Sequence, residues 1–167
     1  MPVTPEQLLE RLAALGISTH TVSHPPLFTV ADSQELRGEL PGGHCKNLFL
    51  KDKKGVLWLV VCLEDAAINM KTLDKRIGSA RLSFGNPDLL MEVLGVAPGS
   101  VTPFALVNDT ERRVNVVLDA AMLEYDLLNY HPLTNERTTA IARDDLLAFI
   151  RACGHEPAIV AVADDDA

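Results

Sequence analysis

The stretch that decides the fold is His44-Cys45-Lys46-Asn47-Leu48-Phe49-Leu50, then Lys51-Asp52-Lys53-Lys54-Gly55, then Val56-Leu57-Trp58-Leu59-Val60-Val61-Cys62-Leu63. Two apolar runs around a short polar loop ending in glycine predict a β-hairpin. The second run is apolar for eight residues without a break, so both of its faces should be covered. Lys46 and Asn47 stand where a polar loop turns into the first strand. A fixed cation at the mouth of a buried sheet can meet a ligand there. A solvated lysine ahead of a strand fits the same spacing, and the residues alone leave both readings open.

Before the hairpin, Thr4-Pro5-Glu6-Gln7 has capping-box spacing with proline at the first helical position. Leu8, Leu9, Leu12 and Leu15 recur at helical spacing, and Gly16 supplies a stop. A short strand follows over 17–23, broken by His24-Pro25-Pro26. Thr29 can cap a second helix over roughly 30–40, ended by Pro41-Gly42-Gly43. Past the hairpin, helices are expected near 68–77 and after Asn86-Pro87-Asp88, closed by Gly78 and Gly95. Strands are expected at 104–107, 114–118, 127–130, 137–142 and 157–162, with a last helix from Arg143 to Gly154. Several connections are too short for parallel crossovers. The expected fold is therefore mixed α/β, a largely antiparallel sheet surrounded by helices, in one domain over 1–167 with a frayed acidic tail at 163–167.

At 167 residues the chain can bury a substantial core. No apolar stretch approaches the roughly 18 residues of a membrane-crossing helix. The start lacks a basic region followed by an apolar one, so a cytoplasmic location is expected, with no membrane partner. The net charge of −8 argues against indiscriminate binding to DNA or other nucleic acid. Between Lys46 and Arg81, however, eight Lys/Arg face four acids, and a local basic surface on an acidic body can dock a small piece of RNA. A set of merely solvated lysines accounts for the same charges.

Cys45, Cys62 and Cys153 lack CxxC spacing, and the five histidines lack metal-ligand spacing, so neither a disulfide framework nor a metal site is expected. Cys45 sits between His44 and Lys46, where a cation can lower a thiol pKa, but an ordinary buried thiol is the simpler reading. GxSxG, Walker, GxGxxG and HExxH motifs are all absent. Any chemistry must then rest on loops, single polar residues and backbone amides. Besides Lys46 and Asn47, two loops qualify. Gly99-Ser100-Val101-Thr102-Pro103 is either a tight connector or a rigid arc of amides able to stabilise an oxyanion. In His131-Pro132-Leu133-Thr134-Asn135, the histidine either orients a water or substrate hydroxyl or serves as a structural bond to backbone.

Lys46-Asn47 ahead of a strand, Gly99-x-x-x-Pro103, and Tyr130-His131-Pro132-Leu133 followed by Asn135 together resemble the bacterial prolyl-tRNA editing domain family, of YbaK/ProX type. His24-Pro25-Pro26 and Thr29 match as well, and the likeness runs from about residue 5 to about residue 160. It implies a partly barrel-like sheet below a cleft and hydrolysis of mischarged Ala-tRNA(Pro) without a cofactor. It also implies an essential Lys46 with Asn47 beside it and His131 as the pocket histidine. Gly99 to Pro103 would cradle the aminoacyl end, with His24, Thr29 and Asn135 also at the substrate. The implied partner is the acceptor end of tRNA(Pro), with prolyl-tRNA synthetase or an elongation factor as further candidates. Cys-tRNA(Pro) as substrate, or a tRNA-binding module without activity, are the alternatives.

Overall fold

The computed structural model describes residues 2–25 and 40–163; Thr29, the helix expected over 30–40 and residues 164–167 lie outside the described residues. The expected hairpin is the spine of the molecule. Strand β2 (Gly43–Asp52) pairs antiparallel with β3 (Leu57–Leu63), in a register that sets Lys46 opposite Cys62 and Lys51 opposite Leu57. The Asp52 side chain organises the turn. Its carboxylate accepts the N–H groups of Lys54 at 2.9 Å and Val56 at 3.0 Å, the Trp58 indole at 3.2 Å and the Ala80 N–H at 3.3 Å. Burial works to raise the Asp52 pKa, but these donors outweigh it and hold the carboxyl below its ordinary value.

Strand β1 (Thr19–Ser23), β4 (Leu82–Phe84), β5 (Val114–Asp119), β6 (Leu127–Tyr130), β7 (Arg137–Ala142) and β8 (Ala158–Val160) complete the sheet. Its order is β1-β7-β6-β2-β3-β5-β8, with β4 added to β2. The pairs β1–β7, β6–β7, β2–β3 and β2–β4 are antiparallel, while β2–β6, β3–β5 and β5–β8 are parallel. The sheet is therefore mixed.

Both faces are covered. On the first, Phe49, Leu57, Leu59 and Val61 join residues of α1 (Pro5–Ala14), α3 (Pro87–Leu94) and α4 (Arg143–Ala152) in the main core. On the second, Leu50, Val60 and Cys62 pack with Leu73 of α2 (Met70–Ile77). Each such leucine or phenylalanine taken from water stabilises the fold by about 1.5–3 kcal/mol before entropy is counted. The caps follow the sequence: Thr4 and Gln7 close a capping box on α1, Asn69 and Asn86 cap α2 and α3, and Gly78 and Gly95 end those two helices in the left-handed conformation.

Two expectations need correction. Residues 104–107 are not a strand but lie in a 3-10 helix, Pro103–Asn108, because Thr102 caps it, proline pre-sets its first turn and all four apolar residues are buried together. Strand β2 begins at Gly43, so Lys46 and Asn47 lie inside it rather than at its mouth; the early start comes from parallel pairing of Gly43 and His44 with Leu128 and Asn129. The short β4 has no counterpart in the sequence reading.

Candidate functional site

The site forms where β2 parts from β6. The two strands run parallel and pair only at Gly43–Leu128 and His44–Asn129. Asn129 pins this junction, its amide donating to the carbonyls of Pro41 at 2.9 Å and Gly43 at 3.2 Å. Gly42 (φ +94°) makes the approach possible, since a Cβ there would lie 2.7 Å from the Leu127 carbonyl oxygen. Beyond the junction the strands diverge. Two residues on from His44 and Asn129 stand Lys46, inside β2, and His131, the first residue past the end of β6.

Each side chain is oriented by backbone. Lys46 Nζ donates to the Ala66 carbonyl at 2.6 Å, which leaves two of its three N–H donors for a ligand. The ammonium lies close enough to Cys62, its cross-strand partner, to favour that thiolate, although burial dominates and pushes the Cys62 pKa up to about 11. His131 Nδ1 donates to the Arg137 carbonyl at 3.1 Å, so the neutral ring presents Nε2 as an acceptor. Burial lowers the His131 pKa and the nearby His24 ring adds to this, while the Arg137 carbonyl opposes it; the imidazole is neutral at pH 7. The two rings stand 6.5 Å apart, and His24 is fixed by the Pro25 carbonyl on Nδ1 and the Thr138 hydroxyl on Nε2, both at 2.8 Å.

Asn47 and the 99–103 arc lie differently from Lys46. Adjacent strand residues point to opposite faces, so the Asn47 side chain shares the first face with Cys45 and Phe49, and its Oδ1 is buried with no hydrogen-bond partner among the described residues. Its main chain, in contrast, points along the β2 edge away from β3, into the gap between β6 and β4. The Phe49 carbonyl, two residues on, fixes that direction by accepting the Gly85 N–H at 3.0 Å. The arc is a proline-glycine turn: Ser100 N–H donates to the Ala97 carbonyl at 3.0 Å, with Gly99 at φ +93°. Ser100 N–H is thereby committed, Pro103 has no N–H, and the Thr102 hydroxyl accepts from Phe104 N–H at 3.2 Å. The arc's other N–H groups are those of Gly99, Val101 and Thr102, fewer than the continuous row the sequence suggested. Val101 packs on the first core, as Leu133 does, and Gly99 faces Asn135, whose amide nitrogen would lie 3.8 Å from a Cβ added there. His131 and His24 thus lie together, and Lys46 follows the same junction on the neighbouring strand. The Asn47 main chain faces the gap between β6 and β4, while the arc meets Asn135 at Gly99.

Cys45 is a partly buried free thiol packed against the main core. Burial beside Tyr130 pushes its thiol up to about 12, despite hydrogen bonds from the Tyr130 and Asn129 side that favour the thiolate. The cysteines are free, and no group of three or more His, Cys, Asp or Glu suited to a metal ion occurs among the described residues. Three positioning groups escaped the sequence reading, the Ala66 and Arg137 carbonyls and Thr138; only the paired threonines of β7 hinted at the last.

Residues 24–149 match the profile of the aminoacyl-tRNA editing domain. Among curated proteins, the prolyl-tRNA synthetase associated domain-containing protein 1 of Mus musculus is 41% identical over 159 residues, covering 92% of this chain and 94% of its own. The prolyl-tRNA editing protein ProX of Acetoanaerobium sticklandii is 33% identical over 151 residues, covering 90% and 92%. The similarity thus reaches animal proteins and is not confined to bacteria, as the motifs had suggested. A crystal structure described as a candidate trans-editing enzyme for prolyl tRNA synthetase superposes with a TM-score of 0.69 at 20% identity, covering 93% of each chain, and shows the shared fold.

Proposed function

The chain belongs to the aminoacyl-tRNA editing domain family, and on that premise we propose that it hydrolyses mischarged Ala-tRNA(Pro) in trans, releasing alanine and free tRNA. The observation that supports this reading is the short parallel junction of β2 with β6, from which Lys46 and His131 each follow by two residues, both anchored by a backbone carbonyl. An aminoacyl ester is already activated, so a strong nucleophile is unnecessary; positioning and charge stabilisation suffice. Lys46, held by Ala66, offers its remaining N–H groups to the terminal phosphate or to the ester carbonyl. Asn47 N–H and the arc N–H groups face the oxygen that becomes the oxyanion. His131 Nε2 accepts a proton from water or from the vicinal ribose hydroxyl, water oxygen bonds to the carbonyl carbon, and the ester C–O bond breaks with the proton passing to the ribose oxygen.

Editing of this kind has an energetic rationale. A synthetic site shaped for proline cannot strongly reject alanine, because a missing methylene is worth only about 1–3 kcal/mol. A second pocket too small for the proline ring restores selectivity by clash. Prolyl-tRNA synthetase, named in the mouse relative, is the natural source of the substrate and a candidate partner. The test is hydrolysis of alanyl-, cysteinyl- and prolyl-tRNA(Pro) by the pure protein. Alanyl-tRNA(Pro) is expected to turn over fastest and prolyl-tRNA(Pro) to resist, and Lys46→Ala should lower kcat/KM by roughly 100-fold or more. Preference for the cysteinyl ester would move the substrate assignment, and tRNA binding with no turnover of any ester would overturn the enzymatic reading.

A further inference from the structure

Three acids are buried among the described residues, Asp52, Asp109 and Asp119. Asp52 accepts four donors and Asp109 three, but Asp119, only 1% exposed, accepts one, the Val162 N–H at 3.2 Å. Its second oxygen is buried with no hydrogen-bond partner among the described residues. A carboxylate so placed needs a compensating charge. The strand register supplies one. Lys46 of β2 is paired opposite Cys62 of β3, and the β3–β5 pairing, carried one residue past Val61–Leu118, brings Cys62 level with Asp119. Alternation agrees. Val60 and Cys62 on β3 and Val117 on β5 line the second core, as do Val162 and Ala66, whose carbonyl holds the Lys46 ammonium. Lys46, Cys62 and Asp119 thus form one cross-strand row on the second face, its end backbones about 10 Å apart. Both charges act on the thiol between them: the ammonium favours the Cys62 thiolate and the carboxylate disfavours it.

We infer that Asp119 is a positioning residue for the proposed reaction: its carboxylate, two strands away across Cys62, holds the Lys46 ammonium over the sheet beside the Ala66 carbonyl. Charges at that separation still interact inside a protein, where screening is weaker than in water. Asp119 itself is buried and touches no substrate, so it acts through the lysine alone. This inference rests on the role given to Lys46 above.

The experiment is a double-mutant cycle of Lys46→Met and Asp119→Asn in urea, which needs no substrate. Each single change leaves the other charge uncompensated, so the double variant should have an unfolding constant roughly tenfold smaller than the two singles together predict. If Asp119→Asn alone does not fold, the double variant should still be at least as stable as Lys46→Met. Hydrolysis should follow the same pattern: Asp119→Asn lowers kcat/KM roughly tenfold in the wild type and changes it no further in Lys46→Met. The thiol gives an independent reading. With Cys45 and Cys153 replaced by alanine, the Cys62 titration midpoint, about 11, should fall in Asp119→Asn and rise in Lys46→Met. An additive cycle would overturn the inference. So would an equal coupling of Asp119 to Arg76, the α2 cation that donates to the Ala161 carbonyl at 3.4 Å. Coupling in urea without hydrolysis of any ester defeats the enzyme assignment and leaves the Lys46–Asp119 link standing. Hydrolysis that needs Lys46 but is unmoved by Asp119→Asn defeats only the positioning role.

Discussion

His131 shows how much of a functional side chain is decided by its neighbours. Burial and the adjacent His24 ring both disfavour the imidazolium, so its pKa lies below the ordinary value of about 6.5. Activity that needs the neutral ring should hold steady below that value and fall only as pH drops through the depressed pKa. The same shift governs stability: the unfolded chain takes up the proton first, so the folded state is favoured fully above the ordinary pKa and loses that contribution as pH falls toward the depressed one. Replacing His24 by Gln removes one of the two depressing influences and keeps a group able to bond Thr138. In an NMR titration of His24→Gln, the His131 resonances should shift their midpoint to higher pH, and the acid limb of the rate profile should follow. Sequence identified His131 and Lys46 as reactive candidates, because residue type and motif order are local. It did not identify the Arg137 and Ala66 carbonyls that aim them, since any residue supplies a carbonyl and only the fold selects which one.

At the scale of elements, the hairpin, the helix caps and β5 to β7 were readable from period and punctuation, since their instructions lie within a few residues of where they act. The start of β2 was not. Gly42-Gly43 looks like a breaker, and only a parallel partner far along the chain makes Gly43 strand. Residues 104–107 misled for the opposite reason: a run of apolar residues reads as a buried strand, whereas Thr102-Pro103 turns it into a 3-10 helix. The β2–β6 junction is where these elements meet the site. Asn129→Ala leaves the Pro41 and Gly43 carbonyls without their donor, and should cost about 1–3 kcal/mol in chemical unfolding. Its kcat/KM should fall further than Thr138→Val, which removes a bond to His24 and leaves the junction intact. Equal losses would mean that the junction does not position the site.

Over the whole molecule, one link made of none of the candidate site residues is the buried Asp109–His155 pair, joined at 2.9 Å. Asp109 also accepts Arg113 N–H at 3.0 Å and Val114 N–H at 2.9 Å, so one carboxylate ties the end of the 3-10 helix, the start of β5 and the turn after α4. Asp109→Ala strands all three donors and should lower unfolding stability by about 3 kcal/mol or more in urea, while kcat measured on the protein that remains folded stays near wild type. A large loss of kcat with unchanged stability would show that this end of the molecule reaches the site.

The junction of β2 with β6 joins residues 86 positions apart in the chain. A pairing so distant closes late, after loop entropy has been overcome by nearer contacts. During synthesis, therefore, a ribosome that has released only the first hundred residues has exposed Lys46 without His131. On the proposed function, hydrolysis requires the second strand to have emerged, and proteolysis between the two should lower it. Turnover is then a direct gauge of native topology in this protein, more demanding than any measure of helix content.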